Sequence, residues 1–190
     1  MSSRSIRSCL PFAAAFLLLI APLALAFASP DDEDIQGGEE YQTKAEFLFS
    51  FAKFVDWPAH KFTEPDSPLV IGIVGADPFG GLLEEAVQDQ RIIDHPVIIR
   101  HIDSMEELRK CHILFISRSE SSRLGAILAE VRGDNVLTVG EFDNFISRGG
   151  IINFVMVDDN VRFQINDSGA RRAGLKIKSL LLEKGVPSPR

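Results

Sequence analysis

The stretch Leu69-Val70-Ile71-Gly72-Ile73-Val74-Gly75, set between Pro68 and the breaker pair Asp77-Pro78, decides the fold. A run this apolar, of strand length, rich in β-branched side chains and closed by turn formers, fits a strand buried on both faces, the environment of a parallel sheet. Directly behind it Phe79, Leu82, Leu83, Ala86 and Val87 recur at helical spacing. Asp77 is placed to cap that helix and Pro78 to sit at its first position, where a missing N–H costs nothing. Strand then helix opens a βαβ unit, and the alternation continues.

Residues 96–100, 113–116, 136–139 and 151–157 read as further strands. Between them Ser104-Met105-Glu106-Glu107 fits a capping box opening a short helix, and Leu124, Ile127, Leu128 and Val131 mark another. Phe142, Phe145 and Ile146 share the face of a third, stopped at Gly149-Gly150. Asp158-Asp159-Asn160 turns the chain into residues 161–165, whose strict alternation marks an antiparallel edge strand. Residues 168–184 close as a helix with Ala170, Ala173, Ile177, Leu180 and Leu181 inward. The expected architecture is a three-layer α/β/α sandwich around a mostly parallel sheet of five to six strands, with an antiparallel edge hairpin.

Outward from this core, Arg4 and Arg7 precede an apolar stretch from Leu10 to Phe27 that ends in small residues, so residues 1–28 read as a secretory signal peptide. Its removal takes two of the 20 basic residues and none of the 27 acidic ones, moving the net charge from −7 to about −9. Such a surface repels nucleic acid, and nothing later reaches membrane-spanning length. A periplasmic product without membrane insertion is expected. Residues 29–40 are acidic and carry Gly37-Gly38, which reads as a disordered leader. Residues 41–185 form one domain and 186–190 a tail. Only Cys111 remains after the leader, excluding an intramolecular disulfide; beside Ile113-Leu114-Phe115-Ile116 it reads as a small buried hydrophobe.

In open α/β sheets ligands sit outside the carboxyl ends of the strands, which selects Gly75, Asp77, Ser117, Arg118, Ser119 and Glu141 as candidate ligand loops. No G-x-G-x-x-G or P-loop order accompanies them, and His60, His95, His101 and His112 share no metal-ligand spacing. No cofactor, metal or catalytic residue is expected, and an enzyme finds no support. Two features exceed background. The helix over residues 41–55 carries Tyr41, Ala45, Leu48, Ala52 and Val55 as one stripe and Phe47, Phe51 and Phe54 as a second, followed by Trp57. Both stripes cannot face the sheet, so Phe47, Phe51, Phe54 and Trp57 are candidate partner contacts, with Phe47 and Phe54 as the exposed anchors and Leu48 as core. The last helix presents Arg171, Arg172, Lys176, Lys178 and Lys184, either a solvated face or a dock for an acidic partner or an anionic envelope surface.

Taken together, Tyr41-x-x-Lys44-Ala45-x-Phe47-Leu48-Phe49-x-Phe51-Ala52-Lys53-Phe54-x-x-Trp57-Pro58, Gly75-x-Asp77-Pro78-Phe79-Gly80, Cys111–Ile116, Gly149-Gly150-Ile151-Ile152-x-Phe154 and the run from Val161 to Ile177 resemble the YfiR family, in order, over nearly all of residues 41–184. The resemblance implies an α/β fold and a periplasmic, non-enzymatic regulator. The best-known relative holds an inner-membrane diguanylate cyclase inactive by binding its periplasmic domain. It therefore implies the periplasmic domain of such a cyclase, or of a sensor kinase, as partner, and is compatible with a homodimer. Having Cys111 alone, this chain departs from that relative's cysteine content, so redox control through intramolecular disulfides does not carry over. The alternative left by the residues is a periplasmic receptor for a small solute at the strand ends.

Overall fold

The computed structural model describes residues 30–187, so the segment read as a signal peptide lies outside the described residues. The chain enters as α1 (Pro30–Phe54), turns through β1 (Val55–Asp56) and a 3-10 turn, and rises into β2 (Leu69–Val74). Then follow α2 (Leu82–Val87), β3 (Arg91–Ile92), β4 (His95–His101), α3 (Met105–Leu108), β5 (Ile113–Ile116), α4 (Leu124–Glu130), β6 (Leu137–Gly140), β7 (Ile152–Val157), β8 (Asn160–Ile165), α5 (Asp167–Arg172), β9 (Lys176–Ile177) and α6 (Ser179–Leu182).

β2 is buried along its whole length and pairs in parallel with β4 on one side and β5 on the other. β6 and β7 continue the parallel set, while β8 and β3 close the two edges antiparallel, giving the order β3-β4-β2-β5-β6-β7-β8. The sheet thus has seven strands rather than five or six, the extra one being the two-residue β3. Alternation along each strand sorts side chains to two faces. Ile71, Ile73, Phe115 and Val139 face Leu48, Phe51, Leu83 and Leu181 of α1, α2 and α6, whereas Val70, Leu114 and Ile116 face Leu108 and Ile127 of α3 and α4. Gly72 is a packing residue: a Cβ there would collide with the buried Sγ of Cys111. No helix among the described residues is long and apolar enough to cross a membrane.

Several local expectations are overturned. The stretch read as a disordered leader belongs, over its described part, to α1, Pro30–Phe54. α2 begins at Leu82, not at Pro78, because Gly80 and Gly81 adopt left-handed conformations. Asp77 closes the preceding turn instead, its Oδ1 accepting from the Phe79 N–H at 2.8 Å. Ser104 makes no side-chain cap, so the capping box is not formed. Residues 142–150 are successive turns: Asn144 is left-handed, and the Phe145 ring lies where a Cβ on Gly140 would come within 2.6 Å of it. The closing helix is broken into α5, β9 and α6 at Gly174, whose φ of 73° is left-handed, and Leu180 faces solvent. β9 pairs antiparallel with β1, and the Lys178 N–H donates to the Phe54 carbonyl at 2.9 Å, fastening the chain end to α1.

Candidate functional site

α1 runs against the direction of the parallel strands and reaches both of their ends. Near its middle, Tyr41 stands edge-on to Phe79, just beyond β2, with ring centroids 5.7 Å apart. Past its end, Trp57 stands edge-on to His112, just before β5, at 5.5 Å.

At the carboxyl ends the three expected loops interlock. Gly75 turns at φ 89°, with Ser119 and Ser117 packed where a Cβ would lie, and the Ala76 N–H donates to Ser119 Oγ at 2.9 Å. Ser117, buried after β5, caps the 3-10 turn at residues 118–120 by accepting from the Ser119 N–H. The Arg118 guanidinium donates to the Glu141 carbonyl at 3.0 Å, joining the loops after β5 and β6. Asp77, Ser117, Arg118, Ser119 and Glu141 line one open cleft of about 430 Å³, and Gly75 lies behind Ser119.

Sequence reasoning missed what α1 adds. Lys44 is buried and ion-pairs with Glu141 Oε2 at 2.7 Å and with Glu40, while the Tyr41 hydroxyl donates to Glu141 Oε1 at 3.2 Å. The ammonium also lies 4.3 Å from the Tyr41 ring centroid, within reach of its π face. Burial works against the Lys44 charge, but hydrogen bonds to Glu141 and Glu40 outweigh it and hold its pKa above the ordinary lysine value. Burial, then the Glu141 carboxylate, raises that of Tyr41. The signal was present: Lys44 sits beside Ala45 in the inward stripe, where a cation demands a buried partner. Its partner is 97 residues away. The lysine charge is met by two carboxylates, and Asp77, Arg118 and Glu141 are the charged groups lining the cleft.

The amino ends of the strands are closed differently. His112 Nδ1 accepts from the Val70 N–H at 3.1 Å, and its ring stacks on Phe62, which in turn stacks on His95. Burial, helped by the nearby Lys61 ammonium, drives the His112 pKa down to about 3. Lys61 donates to the carbonyls of Arg109 and Asp134 at 2.8 and 2.7 Å. Cys111 is free and buried, and burial pushes its thiol up to about 11.

The aromatic residues of α1 do not act as one surface. Phe51 has no exposed area and packs on Phe154 and Phe163 at 5.7 and 5.0 Å, so it is core and not a partner contact. Phe47 and Phe54 are half-buried, and Trp57, also half-buried, donates its indole N–H to the Ala52 carbonyl at 3.1 Å. Arg171 and Arg172 are exposed on α5, Arg171 paired with Asp167; with the closing helix broken, they share no helix face with Lys176, Lys178 or Lys184. Among the described residues no group of His, Cys, Asp and Glu side chains could hold a metal ion.

Comparison with known proteins adds two findings. The model of the YfiR/HmsC-like family, a domain of unknown function, matches residues 41–185. A conserved domain protein of Vibrio cholerae has a similar solved structure, with a TM-score of 0.52 and 10% identity, over 76% of this chain and 58% of that one. The likeness is one of fold. No curated protein matches the chain in sequence.

Proposed function

The chain belongs to the YfiR/HmsC-like family, and on that premise we propose that it is a periplasmic, non-catalytic regulator that restrains a membrane-anchored signalling enzyme of the diguanylate cyclase type by protein–protein contact. The match over residues 41–185 carries this reading. The surface that fits it lies where α1 passes the β7–β8 hairpin. There Met156 and Val157 expose 49% and 41% of their area, and beside Val157 a groove of about 710 Å³ is lined by Met156, Glu39, Glu40, Thr43 and Phe47. Exposed large apolar side chains beside a half-buried aromatic are the usual material of an interface core. Of the four candidate aromatic residues, Phe47 is then the anchor within this groove, while Phe54 and Trp57 lie at and beyond the far end of α1. Capture of one periplasmic domain from among the host's diguanylate cyclases and sensor kinases in a bacterial two-hybrid screen, lost in Met156→Asp/Val157→Asp, is the expected result. A screen in which no such domain binds the wild-type chain overturns the reading.

One observation favours a second reading, a receptor for a small solute: Asp77, Ser117, Arg118, Ser119 and Glu141 do converge on a single cleft. A metabolite that raises the melting temperature of wild type and not of Arg118→Ala supports it.

A further inference from the structure

The face of the sheet away from α1 is covered by α3 and α4, helices of only four and seven residues. Beyond α4, where a longer helix would lie over β6 and β7, the covering is the turn segment 142–150 and the end of α5. Between them, at the amino ends of β6 and β7, the molecule leaves a cavity of about 540 Å³. Its floor is apolar, made by Leu128, Val131, Val136, Ile151 and Ala173. Its rim carries Arg132, Arg148 and Arg172, and no acidic side chain lines it.

Those three arginines differ from Arg109, Arg123 and Arg171. The latter each have a carboxylate partner. Among the described residues none of the rim arginines does: Arg148 donates to the Ser121 carbonyl at 2.8 Å, Arg172 to Ser168 Oγ at 3.2 Å, and Arg132 forms no ion pair. In a chain with 27 acidic residues against 20 basic ones, three guanidinium groups around one apolar hollow, without a carboxylate among them, form a local positive field. Guanidinium groups match carboxylate, sulfonate and phosphate oxygens in geometry as well as charge. The volume falls in the roughly 300–1,000 Å³ range of sites that enclose drug-sized ligands, which are mostly apolar with a few placed polar groups.

We propose that this cavity binds a small organic anion with an apolar body, of the kind an alkyl or aryl carboxylate represents, the body on the Leu128–Ile151 floor and the anionic head among Arg132, Arg148 and Arg172. The site stands apart from the groove assigned to the signalling partner, so neither proposal rests on the other. The test uses the whole secreted chain and 8-anilinonaphthalene-1-sulfonate, a fluorescent probe with an apolar body and one anionic head. Saturable one-to-one binding is expected, displaced by decanoate and not by decanol. The triple variant Arg132→Gln/Arg148→Gln/Arg172→Gln should bind the probe at least tenfold more weakly with an unchanged melting temperature, because all three side chains are exposed. Ala173→Phe, which fills the floor and leaves the charges in place, should lose binding as well. Absence of saturable binding, unchanged affinity in the triple variant, or equal displacement by decanol overturns the proposal.

Discussion

The two ends of the parallel strands are closed on opposite principles, and α1 is pinned at both. At the amino end a neutral imidazole accepts a backbone N–H and is stacked among rings; at the carboxyl end an ion pair is taken out of water and shares a phenol hydroxyl. A neutral plug has no counter-ion to lose, but it cannot take up a proton. A buried ion pair tolerates a wide pH range, but it fails when one member is removed. The plug reads as structural, whereas the ion pair sits under the loops and the hairpin tip that face prospective partners.

Phe51→Ala tests whether the two ends are coupled through the helix that joins them, and it carries the largest expected effect. The ring is fully buried between Phe154 and Phe163, so its loss should cost about 3–5 kcal/mol. The melting temperature should fall by on the order of 10 °C, with amide exchange accelerating in Tyr41 and Trp57 together. Faster exchange at one end alone would show that each end holds α1 by itself.

Lys44→Met tests the carboxyl end. Glu141 would be left buried without its cation, a loss of roughly 3 kcal/mol, while Lys44→Met/Glu141→Leu should recover most of it, since apolar replacement of a whole buried pair is often neutral. Urea denaturation of both variants checks this. A double variant as unstable as the single one would mean that Tyr41 and Glu40 depend on the pair for their own positions.

The amino end is tested by pH. The folded protein keeps His112 neutral down to about 3, whereas the unfolded chain protonates it near the ordinary histidine value. The unfolded state therefore binds the extra proton. Stability from this residue is complete above about pH 6.5 and is lost as pH falls through the window toward 3, by about 1.4 kcal/mol per unit. Comparison of urea midpoints at pH 7 and pH 5 should show a steeper loss in wild type than in His112→Asn, which keeps an acceptor for Val70. Equal slopes would assign the acid sensitivity to groups other than His112.

The central strands were legible because burial on both faces leaves β2 and β5 no polar position, and the stripe of α1 was legible because Leu48, Ala52 and Val55 recur at its inward spacing. What escaped depends on contacts far apart in the chain. Asn135 donates to the carbonyls of Ala173 and Gly174 and so stabilises the break in the closing segment from 38 and 39 residues away. Phe145 fits only because residues 140 and 150 are both glycine, a condition that helical spacing cannot reveal. At the site, position after a strand found the loops, since strand ends are fixed by the sheet. The ion pair escaped because the match of Lys44 to Glu141 exists only once α1 lies across the strands. Phe51 was misread for the same reason: β7 and β8 supply the rings that cover it.

Arg118→Ala should change stability least, and it decides which end meets the partner. The side chain is exposed and loses one hydrogen bond, to the Glu141 carbonyl, so folding should shift by no more than about 0.5 kcal/mol. Yet Arg118 lines a second hollow together with Lys44, Glu141 and Met156, which puts it against the hairpin tip where the signalling partner is proposed to dock. An arginine at the edge of an interface core should cost tenfold or more in affinity when truncated, about 1.4 kcal/mol. Lys178→Ala is the matched control at the other end of α1, exposed and near Asp56 and Lys53. Measured against the captured periplasmic domain, a loss in Arg118→Ala with Lys178→Ala unchanged places the contact at the carboxyl end. The reverse pattern moves the docking surface to Phe54 and Trp57, making the neutral plug, rather than the ion pair, the part of the molecule that a partner reads.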